Sequence, residues 1–220
     1  MKSWTLSRTL MTMVGIASWL LPNQSFAQDT DLGVSGVGVV SIQPVDDAYV
    51  GGPYLSEGIG GVGPGLGAGL SVITSSGLVV GAEYSTAFFE QEQSGRLVGG
   101  SGPNEGAPHT TRLRDSLLSG LIGYRVGASN TRVLLLGGIG ATLDSPTIDG
   151  VPRDPDAWLE EDGLPFVLSG GVDVLQRLNP RTSLVIGARY TLIDRPETHR
   201  YLGIGRHLLR ASTGLRIRLN

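Results

Sequence analysis

Three histidines, His109, His199 and His207, are the residues best suited to general-base chemistry. Set beside a serine or a carboxylate, each could activate a hydroxyl or water for acyl transfer, provided the members reach hydrogen-bond contact. All three fall in or next to Gly-, Pro- and acid-rich stretches, and no local motif ties them to a nucleophile. A second candidate is the segment 144–163, where Asp144, Asp149, Asp154, Asp156, Glu160, Glu161 and Asp162 face Arg153 alone. Such oxygens suit Ca²⁺ or Mg²⁺, but the glycine-turn spacing of a calcium loop is missing, so the expectation is a solvated acidic loop with no metal. Trp158 in that loop is a candidate anchor for a partner or for the headgroup layer. Gly61, Gly63, Gly65, Gly67 and Gly69 imitate a phosphate-cradling loop, which needs a strand before it and a helix after it. Their every-second spacing instead places them on one face of a strand, opposite Val62, Pro64, Leu66, Ala68 and Leu70, and no cofactor is expected. Pro64 cannot donate to a ladder, so regular pairing is expected to start after it. Cysteine is absent, which excludes disulfides, thiolate metal sites and cysteine nucleophiles.

The elements that must carry these residues are strands. Leu184, Ile186, Ala188, Tyr190 and Leu192 alternate with Ser183, Val185, Gly187, Arg189 and Thr191. Leu209, Ala211, Thr213, Leu215, Ile217 and Leu219 alternate in the same way with residues that include Arg210, Arg216 and Arg218. Leu78, Val80, Ala82, Tyr84, Thr86 and Phe88 stand against a parity that holds Glu83, and Phe166, Leu168, Val172 and Val174 against one that holds Asp173. This period of two predicts eight strands, at 31–42, 60–73, 78–90, 110–126, 131–143, 164–176, 181–193 and 205–219. In the segment 110–126 the face is ambiguous, because Leu118, Ile122 and Tyr124 oppose Leu117 and Leu121.

The connections alternate strictly. Those at 43–59, 91–109, 144–163 and 194–204 are long, and those at 74–77, 127–130 and 177–180 are tight, with Ser-Ser-Gly, Gly-Ala-Ser-Asn and Asn-Pro turn chemistry. Long loops at one end and short turns at the other mark an up-and-down transmembrane barrel, with extracellular loops and periplasmic turns. Each predicted strand reaches the ~9–11 residues that a tilted membrane strand requires. Closing the sheet pairs every backbone group, which lipid demands.

Residues 1–27 carry the marks of a secretory signal: Lys2 and Arg8, an apolar core from Leu10 to Leu21, and Ser25-Phe26-Ala27 before Gln28. The barrel domain is then 28–220. Without Lys2 and Arg8 the chain keeps 15 basic residues, all arginine, against 20 acids, a net charge of −5 that gives nucleic acid no electrostatic footprint. No apolar run of 18 residues follows the N-terminal segment, so membrane-spanning helices are excluded.

In strand spacing and loop alternation, residues 31–219 resemble the small eight-stranded outer-membrane barrels typified by the transmembrane domain of OmpA. The resemblance implies an outer-membrane location in a Gram-negative-type bacterium, contact with outer-membrane lipid and lipopolysaccharide, and insertion by the barrel assembly machinery. The chain departs from that pattern in ending Leu215-Arg216-Ile217-Arg218-Leu219-Asn220, without a terminal aromatic residue.

With the apolar parity on lipid, Glu83, Asp173, Arg189, Arg210, Arg216 and Arg218 point inward. On the lipid face at mid-depth one arginine costs about 2–4 kcal/mol. Inside, eight strands enclose space only for side chains, so these charges must pair. The expectation is a polar plug in which Glu83 and Asp173 accept from Arg189, Arg210 and Arg216. The role that follows is structural or interactive, with a ligand of the loops open to identification and no catalysis. Two alternatives stand beside it. One is a lipid-modifying enzyme with a rim histidine. The other is a soluble periplasmic lipocalin-like barrel, which would carry its apolar residues inside.

Overall fold

The alternating segments become nine strands in the computed structural model, which describes residues 30–44, 60–94, 108–127, 130–148, 151–152, 165–194 and 205–219. They are β1 (Asp31–Gln43), β2 (Gly61–Ile73), β3 (Leu78–Ser94), β4 (Pro108–Val126), β5 (Thr131–Ile148), β6 (Val151–Pro152), β7 (Phe166–Arg177), β8 (Thr182–Asp194) and β9 (His207–Arg218). Described residues from Asp31 onward belong to one compact unit. The segment 1–27 and most of the predicted long loops lie outside the described residues.

Every neighbour pair is antiparallel, in the order β4-β3-β2-β1-β9-β8-β7-β5, and the β4–β5 ladder closes the ring. The two-residue β6 pairs with Thr147 and Ile148 and extends the end of β5. The barrel is thus built from eight staves, as the sequence period predicts. Following partners once around the ring leads from Asp31 through Ile73, Val79, Gly123, Leu136, Gly171, Arg189 and Arg210 to Ser41, ten residues farther along β1. Eight strands with a stagger of ten tilt by about 40° and enclose a barrel of about 8 Å radius. At that tilt a 13-residue strand climbs about 33 Å, more than the ~25 Å apolar band of an outer-membrane barrel.

Three strands exceed their predicted lengths by two residues or more. The structure carries β3 to Ser94, starts β4 at Pro108 and carries β5 to Ile148. Periodicity in hydrophobicity fades where side chains leave the apolar band, but the ladder continues as far as Ser94↔Pro108 and Thr111↔Ile148. Asp144, predicted in a loop, therefore pairs in register with Asp115. Outward at the edge of this extension stand Glu90 and Arg112, an exposed ion pair at 3.1 Å.

Turn chemistry fixes the opposite end. Gly77 takes φ 94°, which leaves its N–H bonded to Thr74 O at 3.0 Å, while Thr74 N–H donates to Leu78 O at 2.9 Å. A residue with a Cβ resists that conformation. Between β7 and β8, Asn179 Oδ1 accepts from the N–H groups of Arg181 and Thr182 at 2.9 and 2.8 Å, an Asx turn. Pro64 splits its strand's pairing: β2 pairs with β1 from Gly61, whereas its ladder with β3 begins at Gly65, one residue beyond the missing donor.

The outward face is apolar all round, with Leu66 at 66%, Ile122 at 61% and Ile139 at 59% exposure. The ambiguity in β4 is resolved: Leu118, Ile122 and Tyr124 face out, and Leu117 is buried inside. Inside, two apolar clusters close the lumen at different heights. Near the turns are Ile73, Val79, Leu134, Leu136, Leu175 and Val185. Toward the loop end are Ala87, Phe89, Leu113, Leu117, Val167, Ile193 and Leu208. The glycine run of β2 fits this filling, since a Cβ on Gly63 would meet the Phe89 ring at 2.8 Å.

Candidate functional site

Between the two apolar clusters lies an ionic layer. It forms because β3, β7, β8 and β9 each send one long charged side chain inward at mid-barrel. Arg189 and Arg210 are direct cross-strand partners, so two like charges sit side by side. That arrangement needs acids facing it. Asp173 meets Arg189 in a fork, Nη1 to Oδ1 at 2.6 Å and Nη2 to Oδ2 at 2.8 Å. Glu83 bridges both arginines, 2.7 Å from Arg210 Nη2 and 3.7 Å from Arg189 Nη2. Arg210 also donates to Ser85 Oγ. Two acids and two arginines leave the layer neutral. The arginine side chains are about as dry as a protein core, at 7% and 6% exposure. Glycine makes the room, for a Cβ on Gly187 would stand 2.4 Å from Asp173 Oδ1. A cavity of about 50 Å³ borders the layer, lined by Ser35, Glu83, Asp173, Arg189, Arg210 and Ser212 among others. With charged and hydroxyl groups on part of its wall, it is large enough for ordered water. Arg189 Nε and Arg210 Nε have no protein partner among the described residues.

Arg216 is elsewhere. Its predicted acceptors are Glu83 and Asp173, but the structure gives it Asp31, with Nη1 2.7 Å from Oδ1. The reason is height. Arg216 lies near the C-terminal end of β9, beside the turns, where the first residue of β1 supplies the carboxylate. Nη2 donates to Asp31 O and Ser71 O at 3.1 and 3.4 Å. Arg132 reaches the second oxygen, Oδ2, at 2.9 Å. A Cβ on Gly33 would lie 2.4 Å from Arg216 Cζ, so glycine again clears the space. Among the described residues these arginines and their acids therefore form two groups, one at mid-barrel and one at the turn end, while Asp115, buried toward the loop end, accepts from Thr142 Oγ1 at 2.7 Å. Sequence reasoning missed Asp31, Arg132 and Ser85. All three share the inward parity of their strands, which was the available signal.

The chemistry available to these groups is ion pairing. Of the three histidines, His207 stands exposed on the outward face, its Nδ1 2.5 Å from Tyr190 Oη and its ring stacked on that tyrosine. The side chain of His109 and the whole of His199 lie outside the described residues, as does most of the acidic segment after Asp144. Among the described residues no group of three or more His, Asp or Glu could hold a metal ion.

A closed eight-stranded antiparallel barrel, apolar outside and ionic inside, has the architecture of outer-membrane β-barrels. No protein-family model matches the chain, and no curated protein matches it by sequence. Solved structures do. The chain is similar to Neisserial surface protein A, NspA, at 11% identity and a TM-score of 0.51, covering 86% of this chain and 97% of that one. It is equally similar to a major outer membrane protein from Thermus thermophilus, at 14% identity and a TM-score of 0.51, covering 86% and 99%. At these identities the likeness is one of fold.

Proposed function

We propose that this chain is an integral outer-membrane protein of a Gram-negative-type bacterium, exported through residues 1–27, with a sealed lumen. Its barrel acts as a rigid mount for surface segments that contact an extracellular ligand or partner. One observation carries the reading: the polarity is inverted relative to a soluble barrel, with large apolar side chains exposed outside and paired charges buried inside. Only a hydrocarbon surround makes that distribution favourable, because each outward Leu or Ile would otherwise forgo about 1.5–3 kcal/mol of burial. The same inversion argues against a lipid carrier, whose cavity would be apolar and roomy. The lumen here offers cavities of about 50 Å³, bordered by arginine and carboxylate, against the ~300 Å³ or more of a typical ligand site. In this reading the lumen is structural, the partners are outer-membrane lipid, lipopolysaccharide and the assembly machinery, and binding resides in the loop-end segments. The enzyme alternative has no geometric support from His207, which points outward and is engaged by Tyr190.

The test is a heat-modifiability gel on fractionated membranes of the expressing cell. The expected result is faster migration of the unboiled protein in the outer-membrane fraction. Recovery in the soluble periplasmic fraction with no shift would overturn the proposal. Comparison of lipid A and phospholipid profiles after gene deletion separates the enzyme reading, since a surface mount leaves both unchanged.

A further inference from the structure

Among the described residues, the turn end of the barrel carries an excess of positive charge that the ionic layer does not explain. Arg132, Arg177, Arg181, Arg216 and Arg218 line a cavity of about 20 Å³ with Asp31 as the one acid among the lining residues. Asp31 is already taken by Arg216 at 2.7 Å and Arg132 at 2.9 Å. Arg177 and Arg181 have no carboxylate among the described residues. Arg177 donates Nε to Asn179 O at 3.4 Å, and Arg181 engages Asn179 Oδ1 only through its backbone N–H. The cluster also has a fixed height. Val126, Leu178 and Leu219, exposed at 49%, 57% and 57%, are the last apolar side chains at this end. The guanidiniums thus stand where hydrocarbon gives way to headgroups.

We propose that this mouth is an oxyanion site for a phosphate group, drawn either from the headgroup of an anionic phospholipid in the adjoining leaflet or from free phosphate. Planar guanidinium forks match phosphate oxygens bidentately, and a phosphate group offers more acceptors than one carboxylate for two uncommitted forks. The cavity itself has room for about one water, so a phosphate group sits at its open mouth, between the exposed side chains of Arg177 and Arg181. Arg177 and Arg181 are the binding residues, while Arg216 and Arg132 hold Asp31 and shape the floor. The leaflet assignment rests on the membrane reading above; the phosphate chemistry does not.

The experiment uses the full chain from residue 28, folded in zwitterionic detergent and checked by its gel shift. Inorganic phosphate is titrated calorimetrically against acetate at equal ionic strength. In parallel, nanodiscs of phosphatidylcholine with and without phosphatidylglycerol are examined by native mass spectrometry for retained lipid. Saturable phosphate binding identifies the free ion as a sufficient source. Retention of phosphatidylglycerol without free-phosphate binding identifies the headgroup. Either result supports the proposal if the Arg177→Gln/Arg181→Gln pair weakens it at least tenfold while Arg112→Gln, at the far end, leaves it unchanged. Should the double variant lose its gel shift, the exposed Arg181→Gln alone replaces it, with at least a threefold loss expected. Equal binding of acetate, indifference to these substitutions, or no binding by a heat-modifiable barrel overturns the site and leaves the barrel reading intact.

Discussion

Replacing Asp173 with alanine isolates the cost of the ionic layer. The substitution removes both bonds of the fork to Arg189, at 2.6 and 2.8 Å, and leaves that guanidinium with Glu83 at 3.7 Å, a carboxylate already bonded to Arg210. The side chains concerned are 7% and 15% exposed, so solvent screening provides little relief. Removing one partner of such a buried pair costs about 3–5 kcal/mol, because the remaining charge is left uncompensated. Removing both is different. Arg189→Met with Asp173→Leu fills the same volume without charge, and buried pairs replaced in this way range from neutral to about 1–4 kcal/mol more stable. The assay is urea unfolding of the refolded barrel in phosphatidylcholine vesicles, followed by tryptophan fluorescence and by the folded band on unboiled gels. The expected cycle has Asp173→Leu and Arg189→Met each strongly destabilised and the double variant near wild type, so that the coupling is about as large as the two single losses together. As an internal control, Glu90→Ala breaks the exposed Arg112 pair, 60% and 59% accessible, and such surface pairs contribute about 0.2–1 kcal/mol. A loss below about 1 kcal/mol for Asp173→Ala, or a double variant as unstable as the sum of the singles, refutes the view that the layer is a desolvated, mutually dependent network.

Three further outcomes are expected. Gly187→Ala places a methyl 2.4 Å from Asp173 Oδ1 and 2.7 Å from Ser212 Oγ and should cost about 1–3 kcal/mol in the same assay, with part of the penalty relieved in the Asp173→Ala background. On the lipid face, Ile122→Arg should lose about 2–4 kcal/mol in vesicles, and a tolerated arginine there would mean that this surface does not meet hydrocarbon. Planar-bilayer recordings should show no steady conductance from the wild type, nor from Arg189→Ala, because the clusters around Phe89 and around Leu134 still close the lumen on either side. A channel that opens on that single substitution would show that the ionic layer is itself the gate.

The inward parity of Glu83, Asp173, Arg189, Arg210 and Arg216 is legible one strand at a time. Alternation has a period of two, and a charge opposite an unbroken apolar stripe can only face away from lipid. Height is not legible in that way. Arg216 and Arg189 share the inward parity, yet the β8–β9 register sets Arg216 opposite Ser183, well below Arg189, and the two arginines take different carboxylates. Closure of β1 on β9 brings Asp31, the first residue of the first strand, to Arg216. Strand ends are misjudged for a related reason. Hydrophobic alternation reports contact with lipid, whereas hydrogen bonding holds β3, β4 and β5 together well past Phe88 and Leu143.

Local chemistry along the chain was enough to specify an all-antiparallel barrel of eight staves, the outward residues of the strands that alternate cleanly, and an interior that must hold charge. Each of those follows from side-chain alternation, turn residues, and the cost of an unpaired backbone in lipid. Which charges meet was settled by the closed barrel. So were the apolar layers that bracket them and the convergence of five arginines at one mouth. Those facts depend on register and shear, which arise when the first strand pairs with the last and have no signature within any single segment.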